Sequence, residues 1–366
     1  MGLLLALTLA AAAAAPSAIP DVPADAKAAS GALELYESWP LGTPLDHKSL
    51  RDAPDVWPEV IGRAQKTLDI GQFYVSNEPG QTAKSEKPTS LERTLRAIEA
   101  AAARGVAVRI LVDKKFESAS PENHESLERL AAVKGVQIRR IDYKAVAGGV
   151  MHAKYFIVDG AEACLGSNNF DWRSLSHIVE LGVRVKDPVV AKALEDVFER
   201  DWTIAGGAKP AEAHTSKDGL TAKLGDAQVE FVASPEAETP AAGEFDLPKI
   251  VALIDGAKTS VRVQVLTYKA AKDFKELEDA LVRAAARGVQ VQLLVSHWSK
   301  RKGTVEGVQR LAAESKVQVK FFDTPEWSGG FIPYARTAHA KRLGVAGERA
   351  WAGTSNCGRG HFFDSR

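Results

Sequence analysis

MHAKYFIVDGAEACLGSNNFDWRSLSHIVE, residues 151–180, is the stretch whose reading decides the fold. Within it His152, Lys154 and Asp159 follow the spacing H-x-K-x4-D. YFIVD is a short apolar run rich in aromatic and branched residues, so it reads as a buried strand. Side chains two apart on a strand point to the same side, which puts an imidazole beside an ammonium. That pair suits a phosphate: the lysine neutralises oxygens while the histidine attacks or protonates. Past the next strand, Ser167 and Asn169 in GSNNFDWRS are again two apart and can offer donors to the same phosphate. Glu180, in the strand-like run VELGVRV, could hold the histidine ring in one tautomer.

A single motif of this kind arises easily by chance. A second copy changes the reading. TAHAKRLGVAGERAWAGTSN, residues 337–356, carries His339 and Lys341 at the same spacing. Thr354 and Asn356 follow His339 by 15 and 17 residues, as Ser167 and Asn169 follow His152. The scaffold repeats too, since AAARGV occurs at 101–106 and again at 284–289. The scaffold copies are 183 residues apart and the histidines 187, so the chain is an internal duplication. Two copies in one chain allow a pseudo-twofold arrangement with both histidines facing one cleft.

The paired motifs resemble the phospholipase D superfamily. The closer text is similar to the phospholipase-D-like 5′-exonucleases of animal lysosomes and their poxvirus relatives. Asp171-Trp172-Arg173-Ser174-Leu175 and Glu180-Leu181-Gly182-Val183 carry this in the first half. In the second half it rests on Ile332-Pro333-Tyr334-Ala335-Arg336 and Gly353-Thr354-Ser355-Asn356, and it extends from about Leu35 to the last residue. The resemblance implies an α/β fold: two mixed-sheet α/β/α halves, related by a pseudo-twofold axis, around one shared active-site cleft. It implies a phosphodiesterase acting on phospholipid or single-stranded nucleic acid through a phosphohistidine. His152 would be the nucleophile and His339 the acid, a swap being allowed by symmetry. Lys154, Lys341, Asn169 and Asn356 would stabilise developing charge, with Glu180 orienting a histidine and Asp159, Ser167 and Thr354 in support. In the superfamily the acid at position 159 mainly supports strand and loop. The alternatives are a phosphatidyltransferase of the cardiolipin synthase kind and a catalytically decayed binding protein. No cofactor or metal is expected, and no H-E-x-x-H or C-x-x-C spacing occurs.

The rest of the chain sets bounds. Lys+Arg and Asp+Glu are both 47, so the net charge is zero and a bulk basic field for duplex nucleic acid is excluded. Residues 1–15, MGLLLALTLAAAAAA, read as a secretory signal too short to span a membrane, which implies a secreted or periplasmic protein. The Ala/Pro-rich 16–30 reads as a linker. Cys164 and Cys357 lie beside different motifs and read as free buried thiols.

From 31 to 204, strands at 68–75, 106–113, 136–141 and 179–185 alternate with helices at 90–105, 125–135 and 187–202. Residues 205–228 lack periodicity and read as a connection, and 229–366 repeats the pattern. The repeat departs from its template in two ways. Ala346 stands where the first copy has Asp159. The counterpart of Glu180 would be position 367, past Arg366, and the strand and helix matching 178–202 are missing, so the chain reads as a fragment or early stop. Asp364 is the nearest candidate to replace that acid. The helical rim of the second sheet should then be incomplete. Lys300-Arg301-Lys302 reads as a solvated loop, while Trp172 and Tyr334 read as core. One chain suffices to form one site, and a homodimer is compatible with this.

Overall fold

The computed structural model describes residues 31–117, 119–213, 218–268 and 274–366; the signal and linker read at 1–30 lie outside them. The decisive run forms the strand Lys154–Val158. It pairs antiparallel with Thr67–Gln72 on one side and Glu162–Gly166 on the other. Around it an eight-stranded mixed sheet takes the order 51–52, 33–38, 180–185, 162–166, 154–158, 67–72, 107–113, 136–141. Alternation along the central strand sends its side chains into two cores. Phe156 and Val158 join one with Trp57, Leu95 and Ile98. Tyr155 and Ile157 join the other with Leu194, Phe198 and Trp202. Helices Ala53–Gly62 and Ser90–Ala103 cover the first face and Pro188–Ala205 the second. Trp57 is almost fully buried, 4.7 Å from the Phe170 ring and 5.9 Å from that of Phe156.

Helix starts follow local capping chemistry. Pro188 opens its helix behind Asp187, whose carboxylate accepts from the amides of Val189 and Val190. The helix expected at 125–135 begins earlier, at Pro121, because Ser120 caps it through the Asn123 amide.

The second half builds a five-stranded sheet in the order 318–322, 290–296, 260–265, 342–345, 349–352. Its helices, Asp246–Asp255, Glu276–Ala286 and Thr304–Glu314, pack on one apolar face. The opposite face is polar: Arg262 bonds Gln292 at 3.3 Å, Gln292 bonds Gln318 at 3.1 Å, and Arg342 bonds Gln264 at 2.9 Å. Among the described residues, nothing in this sheet corresponds to the strand Glu180–Val185. The stretch read as a featureless connection differs from that reading. A hairpin, Thr221–Leu224 with Ala227–Glu230, packs Leu224 and Val229 against Val185 and Val190. Its four-residue strands are too short to show periodicity.

The halves are stitched by matching backbone bonds. The Val179 amide donates to the Thr337 carbonyl (2.9 Å) and that of His339 to the Val179 carbonyl (2.9 Å). The 187-residue counterparts do the same, Arg366 to Val150 (3.1 Å) and His152 to Arg366 (2.9 Å). The pseudo-twofold therefore passes between the two motif histidines.

Candidate active site

Each motif histidine lies just before or at the head of a central strand, where it reaches the seam between the halves. Their ring centroids are 6.5 Å apart. Behind each, a buried lysine donates to its own histidine's carbonyl: Lys154 Nζ to His152 and Lys341 Nζ to His339, both at 2.5 Å. Both lysines thus turn back toward the histidine two residues before them.

The second ring nitrogens have different partners. His339 Nδ1 faces both carboxylate oxygens of Glu180 at 2.8 and 2.9 Å. His152 Nδ1 faces the Thr354 carbonyl at 3.1 Å. A carbonyl only accepts, so the His152 proton sits on Nδ1 and Nε2 keeps its lone pair. Glu180 therefore serves the histidine of the opposite half. It is braced by Ser174, whose hydroxyl donates at 2.7 Å.

Burial and neighbouring charge set the protonation of the cleft. His152 is held well below the ordinary histidine value by desolvation, then by Lys154 and His361. Desolvation also lowers His339, but the Glu180 carboxylate pulls it back up. Burial alone would raise Glu180, yet the charge and hydrogen bond of His339 and the charge of Lys341 keep it below its usual range. Lys154 falls well below a normal lysine through burial and the charge of Lys341, and Lys341 is lowered to about 7 by burial. Two buried lysines and two imidazoles against one carboxylate make a cleft that an anion would complete.

The other expected residues divide. Asn169 is buried, donates to Tyr74 Oη at 3.4 Å and leaves its Oδ1 without a partner. Asn356 Oδ1 accepts from the Thr267 amide at 3.3 Å. Ser167 is fully buried, and its hydroxyl is committed to Leu181 through bonds of 3.2 and 3.0 Å. It fixes the strand carrying Glu180 instead of facing a phosphate. Thr354 takes part through its carbonyl. Asp159 turns the chain at φ 53° and accepts from the amides of Gln65, Lys66 and Thr67, a loop-shaping role.

Asp364 does not take a place like that of Glu180. Its carboxylate lies 3.4 Å from Arg359. Tyr334 is not core either: it is 76% exposed, with a left-handed backbone at φ 60°. Trp172 does pack against the first core. Lys300 is an exposed loop residue paired with Asp323 at 2.8 Å. Both cysteines are free. Two cleft neighbours escaped the sequence reading. Phe73 lies 5.0 Å from the His152 ring with the Lys154 ammonium over its face, and His361 lies 5.3 Å from His152. The place of Phe73 depends on strand pairing. His361 was legible only by applying the 187-residue offset to residues beyond the motif. Among the described residues, the one acidic group with metal-ligand proximity is Glu37, Asp46 and Asp52, and it includes no cleft residue.

Comparison with known proteins places this geometry. The family described as "Cardiolipin synthase, PLD-like domain" matches residues 58–202 and 250–365, one span on each copy. "Phospholipase D Z" of Dictyostelium discoideum is 30% identical over 352 residues, covering 89% of this chain and 81% of that protein. "5'-3' exonuclease PLD3" of Bos taurus is 30% identical over 363 residues, covering 90% of this chain and 73% of its own length. Among solved structures, polyphosphate kinase from Porphyromonas gingivalis shares the fold. Its TM-score is 0.50 at 13% identity, over 91% of this chain and 46% of the kinase.

Proposed function

The chain belongs to the phospholipase D superfamily, and we propose that it is a phosphodiesterase working in two in-line steps. In the first, His152 Nε2 attacks phosphorus, the P–N bond forms, and the leaving oxygen takes a proton from His339 as its P–O bond breaks. In the second, water gives a proton to His339 and attacks phosphorus. The P–N bond breaks, and a phosphomonoester leaves. Lys154, Lys341 and the two asparagines hold the phosphoryl oxygens. The unequal partners of the two rings carry this assignment. A carboxylate against His339 favours the protonated acid, while a carbonyl against His152 leaves a neutral nucleophile.

Of the two substrate classes, one observation favours single-stranded nucleic acid over phospholipid. A groove of about 620 Å³ lies beside the segment leading to His339, with Trp298, Trp327, Phe331 and Tyr334 along it and Arg301, Glu326 and the Lys300–Asp323 pair at its edge. Phe331 and Tyr334 are 78% and 76% exposed. A left-handed tyrosine costs on the order of 1–3 kcal/mol. Arg336, itself at φ 56°, helps hold the segment by donating to the carbonyls of Pro325 (2.7 Å) and Leu41 (2.8 Å). Exposed rings beside cations suit base stacking along a strand.

The test is turnover in EDTA of a 5′-hydroxyl single-stranded oligonucleotide and, separately, of phosphatidylcholine vesicles. Stepwise loss of nucleotides is expected, with His152→Ala slower by about 10³-fold and the trapped phosphoryl group mapping to His152. Choline release without nucleotide loss would reverse the substrate reading, and unchanged turnover in His152→Ala would remove the mechanism. No helix among the described residues is long and apolar enough to cross a membrane. The apolar leader supports a secreted or periplasmic setting, in which the mature chain is expected to begin past Ala15.

A further inference from the structure

The mechanism above leaves one partly buried cleft group without a role. His361 sits on the short helix Arg359–Phe363, and its ring is 5.3 Å from that of His152 at an interplanar angle of 68°. This is closer than the 6.5 Å between the two motif histidines. The 187-residue operator that relates the backbone seams carries Ser174 onto His361. In the first half Ser174 braces Glu180, and Glu180 holds His339. In the second half the bracing place holds an imidazole, and the histidine it adjoins is bonded to a carbonyl.

We propose that His361 is the positioning residue of His152, taking on that side of the cleft the part that Ser174 and Glu180 take for His339. The inference rests on the proposed mechanism only for its kinetic consequence. The edge-on ring fixes the plane of His152 so that Nδ1–H stays on the Thr354 carbonyl and Nε2 faces the phosphate. An imidazole at this place also keeps His152 unprotonated, because it excludes water and adds no negative charge. A carboxylate there would raise His152 and favour its protonated form.

The charged and titratable groups around the pair are Lys154 and Lys341 on the central strands, His339 with Glu180 across the seam, and Asp113, which accepts from the Met151 amide at 2.7 Å. Arg359 and Asp364 on the short helix pair with each other. His361 itself is lowered to about 4, first by burial and then by Lys341 and Lys154, so it rests neutral.

The experiment compares wild type with His361→Ala, His361→Gln and His361→Glu. Two readouts are used: NMR titration of the His152 imidazole, and the pH dependence of kcat and KM on the preferred substrate. His361→Ala should raise the His152 pKa, move the acid limb of kcat/KM upward with it, and lower kcat about tenfold with KM within about twofold. His361→Gln should restore much of the loss, and His361→Glu should raise the His152 pKa furthest. An unmoved His152 titration in folded His361→Ala and His361→Glu overturns the proposal. Equal loss in the Ala and Gln variants with an unchanged pH profile also overturns it, by showing helix packing alone. If wild type turns over neither substrate, the proposed function fails, while the NMR titration still decides the role of His361.

Discussion

The two halves bring the same histidine and the same buried lysine to one cleft, and they differ in what stands behind the histidine. His339 leans on a carboxylate that the other half supplies, and His152 leans on a carbonyl. The contrast extends outward. The first half has an eight-stranded sheet with helices on both faces; the second has five strands with helices on one face and a polar ladder on the other. A duplication sets up a symmetric site, but the chemistry needs an acid and a nucleophile. The difference lies in the second partners of the two rings, while the reacting groups are the same.

The largest break of this comparison comes from Glu180→Gln. Without the carboxylate, His339 loses the main influence that opposes its desolvation, so its pKa falls further. The first step needs His339 protonated, so the alkaline limb of the rate profile should move to lower pH. The acid limb, set by His152, should stay. At neutral pH kcat should drop by about 10². An alkaline limb that does not move would mean that Glu180 holds the ring without setting its charge.

The approach of the two motif histidines was readable in the chain because histidine and lysine sit at strand spacing and occur twice. The α/β class and the strands at 106–113 and 136–141 follow from the same periodicity. What escaped has physical reasons. Glu180 serves the opposite half because the seam crosses at Val179, a pairing with Ala338, 159 residues away, that no local pattern encodes. Ser167 looked like a phosphate donor because spacing gives the face of a strand, not which bonds a hydroxyl makes once buried. Tyr334 looked like core because an aromatic usually is; it is exposed on a left-handed backbone that sequence pattern does not report.

A second contrast concerns stability. Asp159 and Ala346 turn the chain at the same place in each half, at φ 53° and 55°, and each donates its amide to the opposite strand, to Thr67 at 3.0 Å and Ser260 at 3.1 Å. Only Asp159 adds a carboxylate, which accepts from three successive amides. Asp159→Ala should therefore destabilise the first half by about 1–3 kcal/mol, read as a lower midpoint in denaturant. Those amides hold the Asp159 carboxyl below its usual value against the opposing effect of burial. A group lowered in the folded state contributes above its unfolded pKa and stops contributing as pH falls through its folded one. The gap between wild type and variant should thus be full near neutrality and close in strong acid. A gap that persists there would assign the loss to backbone strain instead.

The reciprocal change, Ala346→Asp, should have the smallest effect and opposite sign. Val345 pairs with Val261 as Val158 pairs with Leu68, so the amides facing position 346 belong to Lys258, Thr259 and Ser260. An aspartate also tolerates the left-handed backbone better than alanine does. The gain should be about 1 kcal/mol, raising Tm by about 2–4 °C. The cleft should be unaffected, since position 346 lies at the far end of the strand from His339. If Tm does not rise, the three amides of the second turn are not in the orientation of the first, and the likeness of the halves stops at the backbone. If it rises together with kcat, the turn and the cleft are coupled through the Arg342–Val345 strand, and the acid of the first motif has a part in catalysis beyond shaping its loop.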